Sequence, residues 1–282
     1  MKLARCMKQG GAPFWAVVNI EAKLLKPISG DFHDWAPKIT NGAKEDSLEL
    51  NGASVAFSDV TFLAPIEKTN KIIVAGGNYG KHLEEFGVPR PKQPIAFMKA
   101  YGALIGAYDE IRYPPITEKL DYEVELVVVI GDAVDPDNLM NCVLGYTAGN
   151  DVSSRDIQRR SAKGVGMDLF GSKSQDKTTG VGPWIVTKDE FADGTPELEL
   201  KLSVNGGERQ NGNTSEMLWK IDELIQFVNE RSSFECGDIM FTGTPAGVAD
   251  ASGEYLQPGD IVEATVGKIG TLRNVVSQKN TA

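Results

Sequence analysis

The chain of 282 residues has little basic charge, few cysteines and no long apolar run. Its 29 lysines and arginines are outnumbered by 39 aspartates and glutamates, so the net charge is −10. Binding to nucleic acids or to anionic membranes depends on clustered basic residues, and the composition therefore argues against both kinds of partner. No segment approaches the roughly 18 consecutive apolar residues of a transmembrane helix.

Cysteine and export signals are equally scarce. Cys6, Cys142 and Cys236 are odd in number and far apart in sequence, which gives no disulfide framework and is typical of a reducing compartment. The first residues lack the apolar core of a signal peptide. We therefore expect a cytoplasmic protein.

The apolar patterns that are present indicate many strands and few helices. Runs rich in β-branched residues predict strands at residues 14–20, 54–62, 71–75, 123–130, 143–148, 197–204 and 260–266. One amphipathic helix is predicted from about Thr214 to Glu230, starting at Asn213 or Thr214. Because strands and helices do not alternate regularly, we predict an α+β, mostly-β fold. Residues 1–65 are expected to form a small N-terminal module, and residues 66–282 the main domain.

Two glutamates stand at the start of the most apolar predicted strand. Glu123 and Glu125 are two residues apart, so their side chains point to one face of the strand. The rest of that strand is apolar on both faces, which predicts burial. Buried like charges need positive compensation, and carboxylate oxygens suit Mg²⁺, Mn²⁺ or Ca²⁺. A solvated strand end would explain the same pair.

A third carboxylate follows the next predicted strand. Asp151 would complete a set of three acidic ligands and leave coordination positions open for water and a chelating substrate. The alternative is that Asp151 caps the start of a helix.

The chain has only two histidines, His33 and His82. His82 has a glutamate, Glu85, three residues later, and in a helical turn that carboxylate can orient the imidazole as a base toward water. The alternative is an ordinary surface histidine.

Lys173, in the loop GSKSQDK, is either a functional cation or a solvated lysine. The turn FTGTPAGV at residues 241–248 either binds an anion or is a plain tight turn.

Taken together, these segments resemble the fumarylacetoacetate hydrolase family. The matching segments occur in the family's order across residues 70–275: IIVAGGNYGKHLEE, PIAFMKAYGALIG, LDYEVELVVVIG, GYTAGNDVSSRDIQ, GSKSQDKTTGVGPWIV, LSVNGGERQNGNTSEM, GDIMFTGTPAGV and LQPGDIVEATVGKIGTLRN. Each is weak alone, but eight in order make chance similarity very improbable.

The resemblance implies a mixed β-sandwich roll with few helices, commonly a homodimer, and an enzyme that uses a divalent cation, Mg²⁺ or Mn²⁺ with Ca²⁺ as a further option. It assigns roles by motif. The implied metal ligands are Glu123, Glu125 and Asp151; the implied catalytic residues are His82, Glu85 and Lys173; the implied substrate-binding residues are Tyr79, Arg155, Gln158 and Thr244. Lys177 stands where the family usually has threonine, and residues 159–170 are less typical, so we expect a changed pocket wall.

The implied substrate is a small 2-keto acid. We expect hydrolysis of a carbon–carbon bond in an acylpyruvate or related 2,4-diketo acid. Decarboxylation of oxaloacetate, or isomerisation of a 2-hydroxy-dienoate or 2-oxo acid, stays open on the same fold. A non-catalytic β-rich module that binds a cation is the remote alternative.

Replacing one implied ligand tests the metal assignment. Glu123→Gln is expected to abolish metal-dependent activity without unfolding the protein, because the amide removes a negative charge but keeps the shape of the side chain. Activity is measured with and without a chelator, and folding by circular dichroism. Full activity in this variant would remove the metal assignment.

Overall fold

A computed structural model describes residues 1–68, 70–160 and 166–279. Residues 161–165, in the less typical stretch at 159–170, lie outside the described residues, and a changed pocket wall there stays a prediction.

The described residues form eighteen strands. In chain order they are β1 (Lys2–Lys8), β2 (Pro13–Asn19), β3 (Leu24–Pro27), β4 (Val55–Ala56), β5 (Val60–Leu63), β6 (Ile72–Gly76), β7 (Ile95–Met98), β8 (Leu104–Ile105), β9 (Leu120–Asp121), β10 (Val124–Ile130), β11 (Val143–Asn150), β12 (Ser153–Ser154), β13 (Thr179–Thr187), β14 (Glu199–Val204), β15 (Gly207–Asn213), β16 (Ile239–Phe241), β17 (Ile261–Val266) and β18 (Gly270–Val275).

Helices in the described residues are short. The α-helices are α1 (Phe32–Thr40), α2 (Gly80–Glu85), α3 (Arg155–Gln158), α4 (Leu169–Lys173), α5 (Ile221–Asn229) and α6 (Ala249–Ser252). The 3-10 turns cover Glu45–Ser47, Phe57–Asp59, Tyr101–Ala103, Leu139–Cys142, Lys188–Glu190 and Thr214–Glu216. The predicted α+β, mostly-β class is confirmed. No helix among these is long and apolar enough to cross a membrane.

A twelve-stranded sheet forms the body of the molecule. Its order is β4-β3-β2-β1-β13-β11-β10-β16-β6-β7, with β5 beside β1 and β8 beside β13. A second sheet of four strands has the order β15-β14-β17-β18, and β9 pairs with β12. The strands of residues 1–65 continue the large sheet through the pairing of β1 with β13. A module boundary at residue 65 stays a prediction.

Strand β10 lies near the centre of the large sheet and is buried along its whole length. Val124, Leu126 and Val128 belong to a core shared with the four-stranded sheet and α5. Val127 and Val129 belong to a second core, on the other face, that includes aromatic residues of α1. The predicted burial of both faces is therefore confirmed.

The predicted helix at residues 214–230 is partly wrong. Thr214–Glu216 is a 3-10 turn, and the α-helix begins only at Ile221. Asn213 caps the 3-10 turn through a bond from the Ser215 N–H to its side chain, 2.9 Å. Met217, which lies within the predicted helix, instead forms a β-bridge with Tyr79. The apolar residues have the same spacing whether Thr214–Glu216 begins an α-helix or forms a 3-10 turn. The periodicity of the sequence therefore could not separate these two conformations.

Truncating the central strand tests this core. Leu126→Ala is expected to lower the free energy of unfolding by about 2–5 kcal/mol, because it opens a cavity between two sheets that cannot collapse freely. The matched control is Leu24→Ala on β3, where the leucine is 38% exposed, and its cost should be within about 0.5 kcal/mol. Urea unfolding measures both. Equal costs would contradict the assignment of β10 to the core.

Candidate active site

The antiparallel pairing of β10 with β11 brings the three predicted carboxylates together. Val124 pairs with Asn150 and Glu125 with Gly149, so the start of β10 lies beside the end of β11. The Asp151 N–H donates to the Glu123 carbonyl at 2.8 Å, which fixes these two residues side by side. One oxygen each from Glu123, Glu125 and Asp151 lie within 4.8 Å of one another, and all three residues are buried.

Gly149 keeps this arrangement compact. It lies directly opposite Glu125, and a Cβ atom there would meet Phe241 Cε1 at 2.5 Å and Val127 Cγ2 at 2.6 Å. Any larger residue would therefore force apart the strands that carry the carboxylates.

Two basic side chains neutralise Glu123. Lys173 Nζ donates to Glu123 Oε2 and to Asp151 Oδ2, both at 2.7 Å. Arg155 Nη2 donates to Glu123 Oε1 at 2.5 Å. Burial alone would raise the pKa of Glu123, but Lys173 and Arg155, with a smaller effect of His82, outweigh burial and lower it to about 2. Glu123 is therefore ionised at neutral pH.

The pKa of Glu125 is shifted in the opposite direction from that of Glu123. Burial raises its pKa well above the usual value, and the negative charges of Asp151 and Glu123 raise it further. Its hydrogen bond comes from the backbone N–H of Gly243, at 2.7 Å to Oε2. The local field at Glu125 thus favours a proton or another positive charge.

These donors suit a small, hard cation. The oxygens are carboxylate oxygens, and the Lys173 nitrogen already places a positive charge between two of them. Glu123, Glu125 and Asp151 would hold such an ion.

The histidine pair has the predicted geometry. His82 and Glu85 lie on α2, with His82 Nδ1 3.2 Å from Glu85 Oε2. The other Glu85 oxygen accepts the Gly247 N–H at 2.7 Å. His82 is close enough to Glu123 to contribute to the lowered pKa of that carboxylate. The second histidine, His33, is an exposed residue of α1.

Arg155 is committed to the protein, and it engages the side-chain oxygen of Gln158. Arg155 Nε donates to Asp121 at 2.7 Å, and Nη1 donates to the Gln158 side-chain oxygen at 3.2 Å. With the bond to Glu123, each guanidinium nitrogen has a protein partner. The geometry shows Arg155 organising the acidic cluster, and its contact with substrate stays a prediction.

Thr244 and Tyr79 differ in whether their hydroxyl groups are free to donate a hydrogen bond to a ligand. The Thr244 hydroxyl donates to the Val124 carbonyl at 2.9 Å and accepts from Gln210 at 2.8 Å, so its only proton is used inside the protein. The Tyr79 hydroxyl is buried and has no hydrogen-bond partner in the described part of the chain. Burial and, secondarily, Glu125 raise its pKa well above the usual value, so it is available as a neutral donor.

Lys177 lines a surface cavity that does not include the acidic cluster. That surface cavity is lined by Leu104, Ile105, Asp109, Glu110, Arg112, Lys177 and Ser277, none of which belongs to the candidate site.

Sequence reasoning missed two buried charges of the site. Lys99 follows β7, and its fully buried side chain forms an ion pair with Asp151 Oδ1. Asp121 accepts the Ala249 N–H at 2.7 Å as well as the Arg155 bond. Asp121 continues the two-residue spacing of Glu123 and Glu125, a signal that was available. Lys99 stands among apolar residues with no charged neighbour in sequence, so only the fold reveals its partner.

Cation binding to Glu125 is expected to release a proton. Burial and the charges of Asp151 and Glu123 raise the pKa of this carboxyl well above its usual value, whereas a metal ion binds the ionised form, so affinity should rise as pH rises through that pKa. Calorimetric titration with Mn²⁺ in two buffers of different ionisation enthalpy counts the released protons. Binding without proton release, or tighter binding at lower pH, would contradict this picture.

Several named proteins are similar to this chain. A mitochondrial oxaloacetate tautomerase of Homo sapiens is 39% identical over 224 residues, covering 78% of this chain and 70% of the relative. A 2,4-didehydro-3-deoxy-L-rhamnonate hydrolase of a Sphingomonas strain is 39% identical over 290 residues, covering 99% of this chain and 96% of the relative.

Solved structures match along the whole chain. A 5-carboxymethyl-2-hydroxymuconate delta-isomerase of Mycobacterium smegmatis is 31% identical with a TM-score of 0.81, and 99% of this chain and 100% of that chain are covered. A fumarylacetoacetate hydrolase of Exiguobacterium antarcticum is 30% identical with a TM-score of 0.78, and 99% of both chains is covered. The family profile described as "Fumarylacetoacetate (FAA) hydrolase C-terminal" matches residues 71–277, well over half of the sequence. The chain belongs to the fumarylacetoacetate hydrolase family.

Proposed function

We propose that this enzyme is a divalent-cation-dependent hydrolase that cleaves a carbon–carbon bond in an acylpyruvate or a related 2,4-diketo acid. The observation that carries the proposal is the His82–Glu85 pair beside three buried carboxylates. The relative that matches over nearly its whole length is named as a hydrolase of a 2,4-didehydro-3-deoxy sugar acid, and this name supports the same substrate class.

The cation, Mg²⁺ or Mn²⁺, would be held by Glu123, Glu125 and Asp151. When bound, it supplies Lewis-acid polarisation of a 2-keto carboxylate. We also propose that the enzyme acts as a homodimer in the cytoplasm.

The histidine pair supplies the base. Glu85 holds His82 Nδ1 and thereby leaves Nε2 to take a proton from water. The resulting hydroxide adds to the carbonyl carbon at position 4 of the substrate. The bond between carbons 3 and 4 then breaks, carbon 3 takes the electron pair, and the proton held on His82 returns to it. The products are a carboxylic acid and a 2-keto acid, which together contain the atoms of the substrate and one water.

Lys173 and Tyr79 serve as donors. Burial would lower the pKa of Lys173, but Asp151 and Glu123 outweigh burial and raise it, so Lys173 is a cation and not a base. Its three N–H groups donate to Glu123, Asp151 and Ser153, so we propose that it stabilises an oxyanion through its positive charge. The unpaired hydroxyl of Tyr79 offers a further hydrogen bond to the substrate.

Tautomerisation, isomerisation or decarboxylation of a 2-oxo acid is the second candidate. The names of the human relative and of the mycobacterial structure favour it. These reactions share a chelated 2-keto or enol acid with the hydrolysis, and they differ in what happens to the distal part of the substrate. His82 can move a proton in either reaction.

An ultraviolet assay separates the candidates. Purified protein is tested on acetylpyruvate, fumarylpyruvate and oxaloacetate with Mg²⁺ or Mn²⁺, and again with excess chelator. We expect chelator-sensitive loss of diketone absorbance with release of pyruvate. Release of carbon dioxide from oxaloacetate alone would establish a decarboxylase. Exchange between its keto and enol forms alone would establish a tautomerase. Binding of metal with no turnover of any of the three would favour the non-catalytic module.

Replacing the proposed base tests the mechanism. His82→Asn is expected to lower kcat by roughly 10²–10⁴-fold, the usual contribution of a general base. Glu85→Gln should lower kcat less, because the imidazole remains but loses its orienting charge. The matched control is His33→Asn, which removes the exposed histidine of α1 and should leave kcat unchanged. Full activity in His82→Asn would exclude His82 as the base.

A further inference from the structure

Asp121 is a buried carboxylate that the proposed mechanism does not use. It is the last residue of β9, and its side chain is fully enclosed. Each of its two oxygens accepts two hydrogen bonds. Oδ1 accepts the backbone N–H of Tyr122 and that of Ala249, both at 2.7 Å. Oδ2 accepts Arg155 Nε at 2.7 Å and the backbone N–H of Asp250 at 3.0 Å. The carboxylate therefore has a donor for each of its four acceptor positions.

Through Arg155, Asp121 reaches the acidic cluster. Arg155 Nη2 donates to Glu123 Oε1 at 2.5 Å, so two carboxylates hold one guanidinium group at two different nitrogens. Because the guanidinium group is planar and its donors form a rigid fork, two such bonds fix its orientation. Asp121 therefore helps to orient the cation that neutralises Glu123.

Through the main chain, Asp121 also reaches the histidine pair. Residues 247–250 contribute three backbone N–H groups to two carboxylates. The last two of these groups bind Asp121, and the first, that of Gly247, binds Glu85 Oε1 at 2.7 Å. The other oxygen of Glu85 lies 3.2 Å from His82 Nδ1. One short stretch of main chain thus joins Asp121 to the carboxylate that orients the proposed base.

This stretch of main chain is anchored at both ends. Upstream, Gln210 Nε2 donates to Pro245 O at 2.9 Å. Gly247 packs against β15, since its φ is +103° and a Cβ atom there would meet Arg209 O at 2.2 Å. These two contacts join the stretch to β15. The downstream anchor is Asp121, and this contact joins the stretch to the acidic cluster.

We infer that Asp121 is a positioning residue that sets the His82–Glu85 pair relative to the acidic cluster. The inference rests on the proposed role of His82 as the base. The hydrogen bond that one ring nitrogen makes decides which nitrogen carries the proton, so Glu85 must stay turned toward Nδ1. The Gly247 N–H holds Glu85 in that direction. Precise placement matters, because a displacement of about 1 Å can cost roughly 10²-fold in rate.

Asp121→Asn tests the inference, because an amide keeps the shape of the carboxylate but has a donor in place of one acceptor oxygen. Whichever way the amide is turned, two of the four N–H groups around it then face another donor. In either orientation one of these two groups belongs to residues 247–250. That stretch loses half of its hydrogen bonds to residue 121, and we expect Glu85 to turn away from His82.

The measurement is the position of the proton on the His82 ring, followed by ¹⁵N NMR of the untagged protein with Mg²⁺ at alkaline pH. Protonated and unprotonated ring nitrogens have well-separated chemical shifts. The chain has two histidines, and His33→Asn assigns the signals. Wild-type His82 should carry its proton on Nδ1. Glu85→Ala gives the spectrum of an imidazole without its orienting partner, and Asp121→Asn should move the Nδ1 signal most of the way toward it.

Asp238→Asn is the matched control. Asp238 is also fully buried, and it accepts the backbone N–H of Lys71 at 2.7 Å and that of Glu235 at 2.8 Å. It directly precedes β16, whereas residues 247–250 follow that strand. Loss of a buried carboxylate should lower the stability of both variants, but only Asp121→Asn should change the His82 signal.

A second variant removes the backbone donor and keeps the carboxylate, and it serves if Asp121→Asn does not fold. Ala249 is the first residue of α6, a position at which proline is tolerated. Val248 before it has φ −67° and ψ 154°, which suit the residue that precedes a proline. Ala249→Pro deletes an N–H that binds Asp121 and should move the His82 signal in the same direction.

The role of Asp121 and the proposed function fail in different ways. A wild-type His82 with its proton on Nε2 would contradict the orientation of the base and therefore the proposed mechanism. A wild-type proton on Nδ1 that stays there in folded Asp121→Asn or Ala249→Pro would overturn the role of Asp121 and leave the proposed function intact. An equal change in Asp238→Asn would show a general effect of lost stability and would overturn that role as well.

Discussion

The burial of acidic side chains at the centre of a large sheet is the constraint on which the rest of the site depends. Asp121, Glu123, Glu125 and Asp151 are all almost completely enclosed. Ionised carboxylates lose much hydration free energy in such a place, and they persist there only beside positive partners. Lys99, Arg155 and Lys173 supply those partners from three separate segments. Removing one member of such a buried pair typically costs about 3–5 kcal/mol, so the cluster ties the segments together.

The sheet determines where the carboxylates lie relative to one another. Because β10 and β11 are antiparallel, the start of one strand meets the end of the other, and Asp151 lies beside Glu123. Gly149 allows the close approach, since a side chain there would strike Phe241. The Gly243 N–H and Arg155 donate to Glu125 and Glu123, and Lys99 forms an ion pair with Asp151. Lys173 contacts the other oxygen of Glu123 and of Asp151. The result is a preorganised set of carboxylates. The backbone pairing of the sheet offsets the free-energy cost of holding them together.

The helix α2 carries the proposed proton-transfer group. A chelated 2-keto acid can be hydrolysed, decarboxylated or tautomerised, and the carboxylates serve all three reactions alike. His82 and Glu85 face that cluster from a short helix, and Glu85 is also bonded to the Gly247 turn. The proposed proton acceptor therefore lies on a different element from the proposed metal ligands.

The sequence alone determined the mostly-β class, the central strand and the spacing of the acidic residues. Strand periodicity is local: Glu123 and Glu125 must share a face because alternate residues of a strand do so. The family resemblance then joined them to Asp151, His82 and Lys173. Tertiary structure alone decided the rest, for a physical reason: the partners lie far apart in sequence. Lys99 follows β7 and Asp151 follows β11, which are not neighbours in the sheet, yet their side chains form an ion pair. Arg155, which the resemblance implies as a substrate ligand, is also a partner of Asp121 and Glu123. The 3-10 turn at Thr214 could not be predicted from the local sequence either, because Met217 pairs with Tyr79, more than a hundred residues away.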